Sequence, residues 1–153
     1  MRTTLNALLL LSLTAVANAK DHTPLASLVS KIESNGNPQA IGDFGLARGE
    51  YQFHKDAWLQ ASKERRKAGK KIYPYAYAHD PQVSKQYALD YLGWVERALE
   101  GKMGRKPLNW EIYAAYARGV EGFASIGFSF TKLPKHSQAT VSLVAKTFNE
   151  TIK

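Results

Sequence analysis

Apolar positions recur along this chain at helical spacing, block after block, with polar and Gly/Pro-rich stretches between the blocks. Leu25, Leu28, Val29 and Ile32 fall at i, i+3, i+4 and i+7 behind Thr23-Pro24, an N-cap followed by proline at the first helical position. The spacing predicts a helix that stops near Asn35-Gly36. From Asn37 to Gly49 the chain is dense in Gly, Pro, Asn and Asp, a loop composition with room for a short β-hairpin. A second helix is predicted from about Phe53 to Ala68. Asp80-Pro81 repeats the cap-then-proline logic and opens a third, carrying Val83, Tyr87, Tyr91, Leu92 and Val95 until Gly101. Pro107 opens a fourth that ends near Arg118-Gly119. Gly122 to Phe130 reads as irregular and aromatic, and Ser137 to Ile152 as a last amphipathic helix with Val141, Val144, Phe148 and Ile152 on one face. The fold class this predicts is mainly α with one short hairpin.

The first nineteen residues stand apart from that pattern. Arg2 precedes an apolar run from Leu5 through Leu13 that ends in Ala17-Asn18-Ala19, a small-x-small cleavage pattern, so residues 1–19 read as a secretory signal peptide and the mature chain as residues 20–153. The apolar run is too short for a stable membrane anchor, and the reading is of an exported monomer, periplasmic or extracellular. About 134 residues then remain, enough for one domain with a real core. With no cysteine in the sequence, that core has to hold by packing alone.

The chain carries a net charge of +8, and loss of Arg2 with the leader leaves 20 basic and 13 acidic side chains. The excess is local: Lys63, Arg65, Arg66, Lys67, Lys70 and Lys71 lie within nine positions. An exported protein meets anionic envelope polymers before it meets nucleic acid, so the envelope is the expected partner of this cluster. Tyr73-Pro74-Tyr75-Ala76-Tyr77 follows it and reads as packing aromatics with some capacity to stack on sugar rings.

The candidate chemistry sits at the end of the first helix. Glu33 falls in its last turn, where the negative end of the helix dipole and the preceding apolar residues both favour the protonated carboxyl, the state a general acid needs. Asp43 lies ten residues on, placed either to assist water or to hold its loop through an Asx-turn. His54 and His79 have no partners at metal-ligand spacing, so no metal and no cofactor is expected. Ser34 lacks the surroundings of a nucleophile and reads as a helix-terminal hydrogen-bonding residue.

Glu33-Ser34, Gly42-Asp43, Gly49-Glu50-Tyr51-Gln52 and Ala115-Tyr116-Ala117-Arg118-Gly119 together resemble the lysozyme-like superfamily, and most closely SLT-type lytic transglycosylases and small bacterial lysozyme-like proteins. The resemblance covers about residues 25 to 125. It implies a lysozyme-like domain with the hairpin beside a cleft, and cleavage of peptidoglycan glycan strands between N-acetylmuramic acid and N-acetylglucosamine. Glu33 matches the family's catalytic acid and Gln52 the glutamine that lines the sugar cleft. Ser34, Tyr51 and Tyr116 join Gln52 as candidate substrate-binding residues, and Asp43 joins Glu33 as the second candidate catalytic carboxylate. Relatives of this kind divide between lytic transglycosylases, in which one Glu works with the sugar's own hydroxyl, and goose-type lysozymes, which carry further acidic residues. Ala117-Arg118 stand where the family carries Asn-Ala, and Glu50-Tyr51 where it carries Leu-Met. An alternative reading is therefore an envelope-binding protein that keeps the fold without turnover.

Overall fold

The structure is a computed structural model that describes residues 20–152, and the expected leader lies outside them. The described residues form six α-helices and a two-stranded hairpin in the order α1 (Thr23–Ser34), β1 (Ile41–Gly42), β2 (Ala47–Arg48), α2 (Lys55–Lys67), α3 (Pro81–Met103), α4 (Asn109–Arg118), α5 (Val120–Ala124) and α6 (Lys135–Thr147). Among the described residues no helix is long and apolar enough to cross a membrane.

α3 is the axis of the domain, because its stripe of Val83, Tyr87, Ala88, Tyr91, Leu92, Val95 and Leu99 is buried along the whole helix and meets α1, α2, α4 and α5. Its start is the predicted one: Asp80 Oδ1 accepts from the backbone N–H of Gln82 and of Val83, both at 2.9 Å, with Pro81 behind it. Its end runs past Gly101 to a left-handed cap at Gly104. Against α3, Phe53 sits at the centre of an aromatic cluster, touching Tyr51, Trp58, Tyr91 and Tyr116 ring to ring, while Trp58 stacks on Tyr87 at 3.6 Å.

Other boundaries also differ from the sequence reading, each for a local reason. Thr23 is inside α1 rather than capping it; the side chain of Asp21 takes its N–H at 2.9 Å and His22 is the cap residue. Phe53 precedes α2, bridged to Arg48 as the continuation of the hairpin. The last helix begins two residues early, after Pro134, and stops at Thr147, where Asn149 turns left-handed and Glu150 N–H closes back on the Ala145 carbonyl at 2.8 Å.

That final turn matters for the site. It brings the Glu150 carboxylate onto the N-terminus of α4, where it accepts from the backbone N–H of Asn109 and of Trp110 at 2.8 and 3.1 Å. Glu111, buried in the same first turn, accepts from Leu108 N–H and is gripped by Arg105 through both carboxylate oxygens. Helix α4 is thereby fixed from below by two carboxylates, and it carries Tyr113 and Tyr116 toward α1.

The basic cluster disperses in the fold. Arg65 is 3% exposed because it falls on the same helical stripe as Trp58, Ala61 and Ser62. Its guanidinium pairs with Asp90 at 2.6 Å and lies over the Tyr87 ring. Lys70 reaches the same Asp90, and Lys67 pairs with Glu64. The aromatic segment is likewise structural in part: Tyr75 donates its hydroxyl to the carbonyls of Leu46 and Phe53, and Tyr73 supplies the carbonyl that Trp58 Nε1 bonds.

Candidate active site

Helix α1 ends one residue beyond Glu33. Asn35 takes the left-handed conformation, and Gly36 N–H returns to the Ser30 carbonyl, so the helix stops where Asn-Gly predicted. This leaves Glu33 in the last turn, half-buried, facing α4. Tyr113 Oη donates to Glu33 Oε1 at 2.9 Å. Burial pushes the Glu33 carboxyl above its ordinary range. The Tyr113 hydrogen bond opposes the rise, the negative charge of Asp43 adds to it and His54 opposes it, with burial the largest influence. Burial, reinforced by the charge and hydrogen bond of Glu33, raises the Tyr113 hydroxyl far above its usual value, so it stays a donor.

The Gly49–Gln52 turn is tied to that helix end by the residue after the acid. Ser34 Oγ donates to the Glu50 carbonyl at 2.7 Å and accepts from Asn37 N–H at 3.0 Å, and Ser30 Oγ donates to the Glu50 carboxylate. Gly49 has φ +75°, and a Cβ there would run into the Ala78 carbonyl, so only glycine lets the turn close against the segment before α3. Gln52 is also left-handed; its Nε2 donates to the Gly49 carbonyl at 2.9 Å and its Oε1 lies over Gly42, where any Cβ would collide with it. The hairpin pairs Ile41 with Arg48 and Gly42 with Ala47, and it holds Asp43 at the edge of the opening.

These pieces enclose a basin of about 550 Å³ lined by Glu33, Asp43, Gln52, His54, Tyr91, Tyr116 and Ala117-Arg118-Gly119 among others. A second basin lies on the other side of Glu33 and Asp43, between Tyr113 and the start of α6. The carboxylates therefore stand within a groove rather than at its end.

Glu33, Asp43, Gln52 and Tyr116 all line the cleft. Ser34 and Tyr51 stand behind its wall. The Tyr51 ring is 2% exposed in the aromatic core, because the left-handed turn at Gln52 sends the side chains on either side of it inward. Tyr51 contributes its carbonyl instead, which accepts from Tyr116 Oη at 2.6 Å and ties α4 to the turn. Two cleft residues escape the sequence motifs. Tyr113 is three positions before Tyr116 on one helix face, a spacing visible in the sequence once Tyr116 is singled out. His54, whose ring pairs with Asp43 Oδ2 at 2.7 Å, is brought there by the hairpin, and no local pattern announces it.

Residues 12–125 match the family described as the transglycosylase SLT domain. No curated protein and no solved structure matches the chain. The family match spans well over half of the sequence and includes Glu33, Asp43, Gln52, His54, Tyr113 and Tyr116, while the wall of the second basin from Leu133 onward lies beyond it. The chain therefore belongs to the transglycosylase SLT domain family, lysozyme-like glycosidases of the lytic transglycosylase type that act on peptidoglycan.

Proposed function

We propose that this protein, exported after loss of residues 1–19, cleaves the β-1,4 bond between N-acetylmuramic acid and N-acetylglucosamine in peptidoglycan strands, with Glu33 as the single acid/base. The observation that carries the reading is the Glu33 environment: a half-buried carboxyl in a groove, pushed toward its protonated form by burial and oriented by a tyrosine hydroxyl at 2.9 Å. In the first half of the reaction Glu33 gives its proton to the glycosidic oxygen as the bond to C1 breaks. In the second, the Glu33 carboxylate takes the proton from the C6 hydroxyl of the same muramyl ring while that oxygen closes on C1. Glu33 is thereby reprotonated by the C6 hydroxyl while the departing sugar keeps the first proton, and no water is consumed. Gln52 and Tyr116 belong to the wall that holds the strand; Tyr113 keeps Glu33 in position. No cofactor enters this chemistry.

Hydrolysis is the second reading, favoured by one observation: Asp43 lines the same basin as Glu33 and is paired with His54 at 2.7 Å. In that case Asp43 would activate water against C1. Mass spectrometry of purified peptidoglycan after incubation with residues 20–153, beside the Glu33→Gln protein, tests both. Fragments formed by the parent and absent with Glu33→Gln support the assignment, and equal digestion by the two proteins overturns it.

A further inference from the structure

The groove does not stop at Tyr91. Beyond it lies a basin of about 750 Å³ that shares Ala57, Tyr91, Arg118 and Gly119 with the basin around Glu33, so the two are continuous. Its wall joins an aromatic stack to three cations. Trp94 stacks on Tyr91 at 5.4 Å with 23° between the planes, and Lys63, Arg66 and Arg118 stand around them. Of the two acidic side chains on the same wall, Glu121 is paired with Lys102 at 2.9 Å, which leaves the cations in excess over Asp56.

Arg118 is held rather than loose. Its Nε donates to the Gly122 carbonyl at 2.9 Å, and its stem lies across Gly122 so closely that a Cβ there would come within 3.1 Å of Arg118 Cγ. The two terminal amino groups make no hydrogen bond among the described residues, and the side chain borders all three basins of the groove. A guanidinium fixed at its inner nitrogen and open at its outer pair is a fork shaped for a carboxylate.

We propose that this extension is an anion-recognition subsite in which Arg118, supported by Lys63 and Arg66, takes a carboxylate carried by a muramyl unit of the bound strand. The carboxylate comes either from the lactyl group of a bare muramyl unit or from the stem peptide attached to it. The inference rests on the reading of the groove as a glycan cleft. It gives Arg118 a role at the position where the resemblance leads one to expect alanine: a charge that selects which stretches of wall are bound. The Trp94–Tyr91 stack supplies the apolar face against which the sugar or peptide beside that carboxylate packs.

Binding separates this subsite from catalysis. Calorimetric titration of the Glu33→Gln protein uses three strands: glycan with stem peptides, the same glycan stripped of them, and stem-bearing glycan with its carboxyls converted to methylamides. Arg118→Gln and Lys63→Gln/Arg66→Gln, each added to Glu33→Gln and checked for an unchanged melting curve, should weaken binding of carboxylate-bearing strands. The expected loss is roughly three- to fivefold per cation, the scale of an exposed ion pair, and larger at low salt. The methylamide strand should bind all proteins alike, and whichever of the other two loses more identifies the source of the carboxylate. Equal losses on the charged and the methylamide strands, or no loss on either, overturn the proposal. Because turnover by the parent is measured separately, an inactive parent whose Glu33→Gln form still discriminates between strands would fail the catalytic reading and leave this one standing.

Discussion

The Tyr113 hydroxyl donates to Glu33 Oε1 across 80 positions of sequence, and this one bond joins the end of α1 to the middle of α4. It pulls the Glu33 carboxyl down while burial pushes it up, so the tyrosine both aims the acid and limits how far its proton is retained.

Tyr113→Phe should therefore move the Glu33 carboxyl higher still. A general acid loses function as pH rises through its own titration, so the alkaline limb of turnover should shift to higher pH in the variant. Where Glu33 is ionised, loss of a hydrogen bond to a charged group should also cost about 1.5–3 kcal/mol of stability. A pH–rate profile and thermal melts read the two effects. An alkaline limb that stays in place would separate Tyr113 from the titration of Glu33.

Glu33→Gln should be at least as stable as the parent at neutral pH, even as turnover falls by about 10² to 10⁴, the usual contribution of general-acid catalysis. The folded-state value of Glu33 is raised above the ordinary 4.5, so between the two values the folded protein holds more protons than the unfolded one. Parent stability then falls as pH rises through that window, and the glutamine variant escapes the fall. Melting curves from pH 3.5 to 8 should converge at the acid end and separate, variant above parent, toward neutrality. A variant below the parent at pH 7 would mean that Glu33 is a structural carboxylate.

The parts of this site that were legible in the sequence are those whose geometry is local. The stop of α1 follows from Asn35-Gly36, and the cap of α3 from Asp80-Pro81. Gly49 and Gln52 lie within one turn. Other parts depend on which surfaces meet. Tyr51 and Gln52 are neighbours in sequence, yet one enters the core and the other the cleft, because Gln52 adopts a left-handed conformation that no residue type there signals. His54 meets Asp43 only through the hairpin register. Arg65 was legible and obscured: its place on the Trp58 stripe marks it as buried, but reading the basic residues as a run hides that period.

Burial divides the basic segment into residues of opposite consequence. Arg65→Gln should lower stability by about 1.5–3 kcal/mol, since it removes the buried charged hydrogen bonds to Asp90 and the Lys71 carbonyl and the cation from the Tyr87 face, while Lys70 still pairs with Asp90. Lys67→Gln, two residues on, removes an exposed pair with Glu64 and should cost no more than about 1 kcal/mol. Urea unfolding of both variants checks the contrast. Two similar midpoints would contradict the burial of Arg65.

Gly49→Ala tests the turn that carries Gln52. The left-handed backbone at φ +75° should cost about 1–3 kcal/mol for a residue with a Cβ, and overlap with the Ala78 carbonyl adds to it. Displacement of the turn would also stretch the Ser34–Glu50 and Tyr116–Tyr51 bonds that close the cleft. The expected result is a lower melting midpoint with a weaker affinity for glycan. A variant with parental melting and binding would show that the turn relaxes without disturbing either.

Product chemistry separates the two ways of finishing the reaction. Attack by the muramyl C6 hydroxyl leaves a 1,6-anhydro end, whereas attack by water leaves a reducing end. The anhydro product is expected, because Glu33 alone can serve both halves of that reaction, giving one proton to the departing oxygen and taking another from the C6 hydroxyl. Asp43 has a structural role that accounts for its presence: it sits in the left-handed hairpin turn at φ 46°, two-thirds exposed, with His54 bonded to its carboxylate. A solvated carboxylate held by an imidazole from the base of the hairpin fixes that edge of the cleft. Asp43→Asn keeps the shape and one acceptor for His54, so turnover should fall by no more than about tenfold, short of the 10²-fold or greater loss expected for an acid or base. Dominant reducing ends, together with a loss in Asp43→Asn as complete as in Glu33→Gln, would instead make Asp43 the base that activates water and the protein a hydrolase.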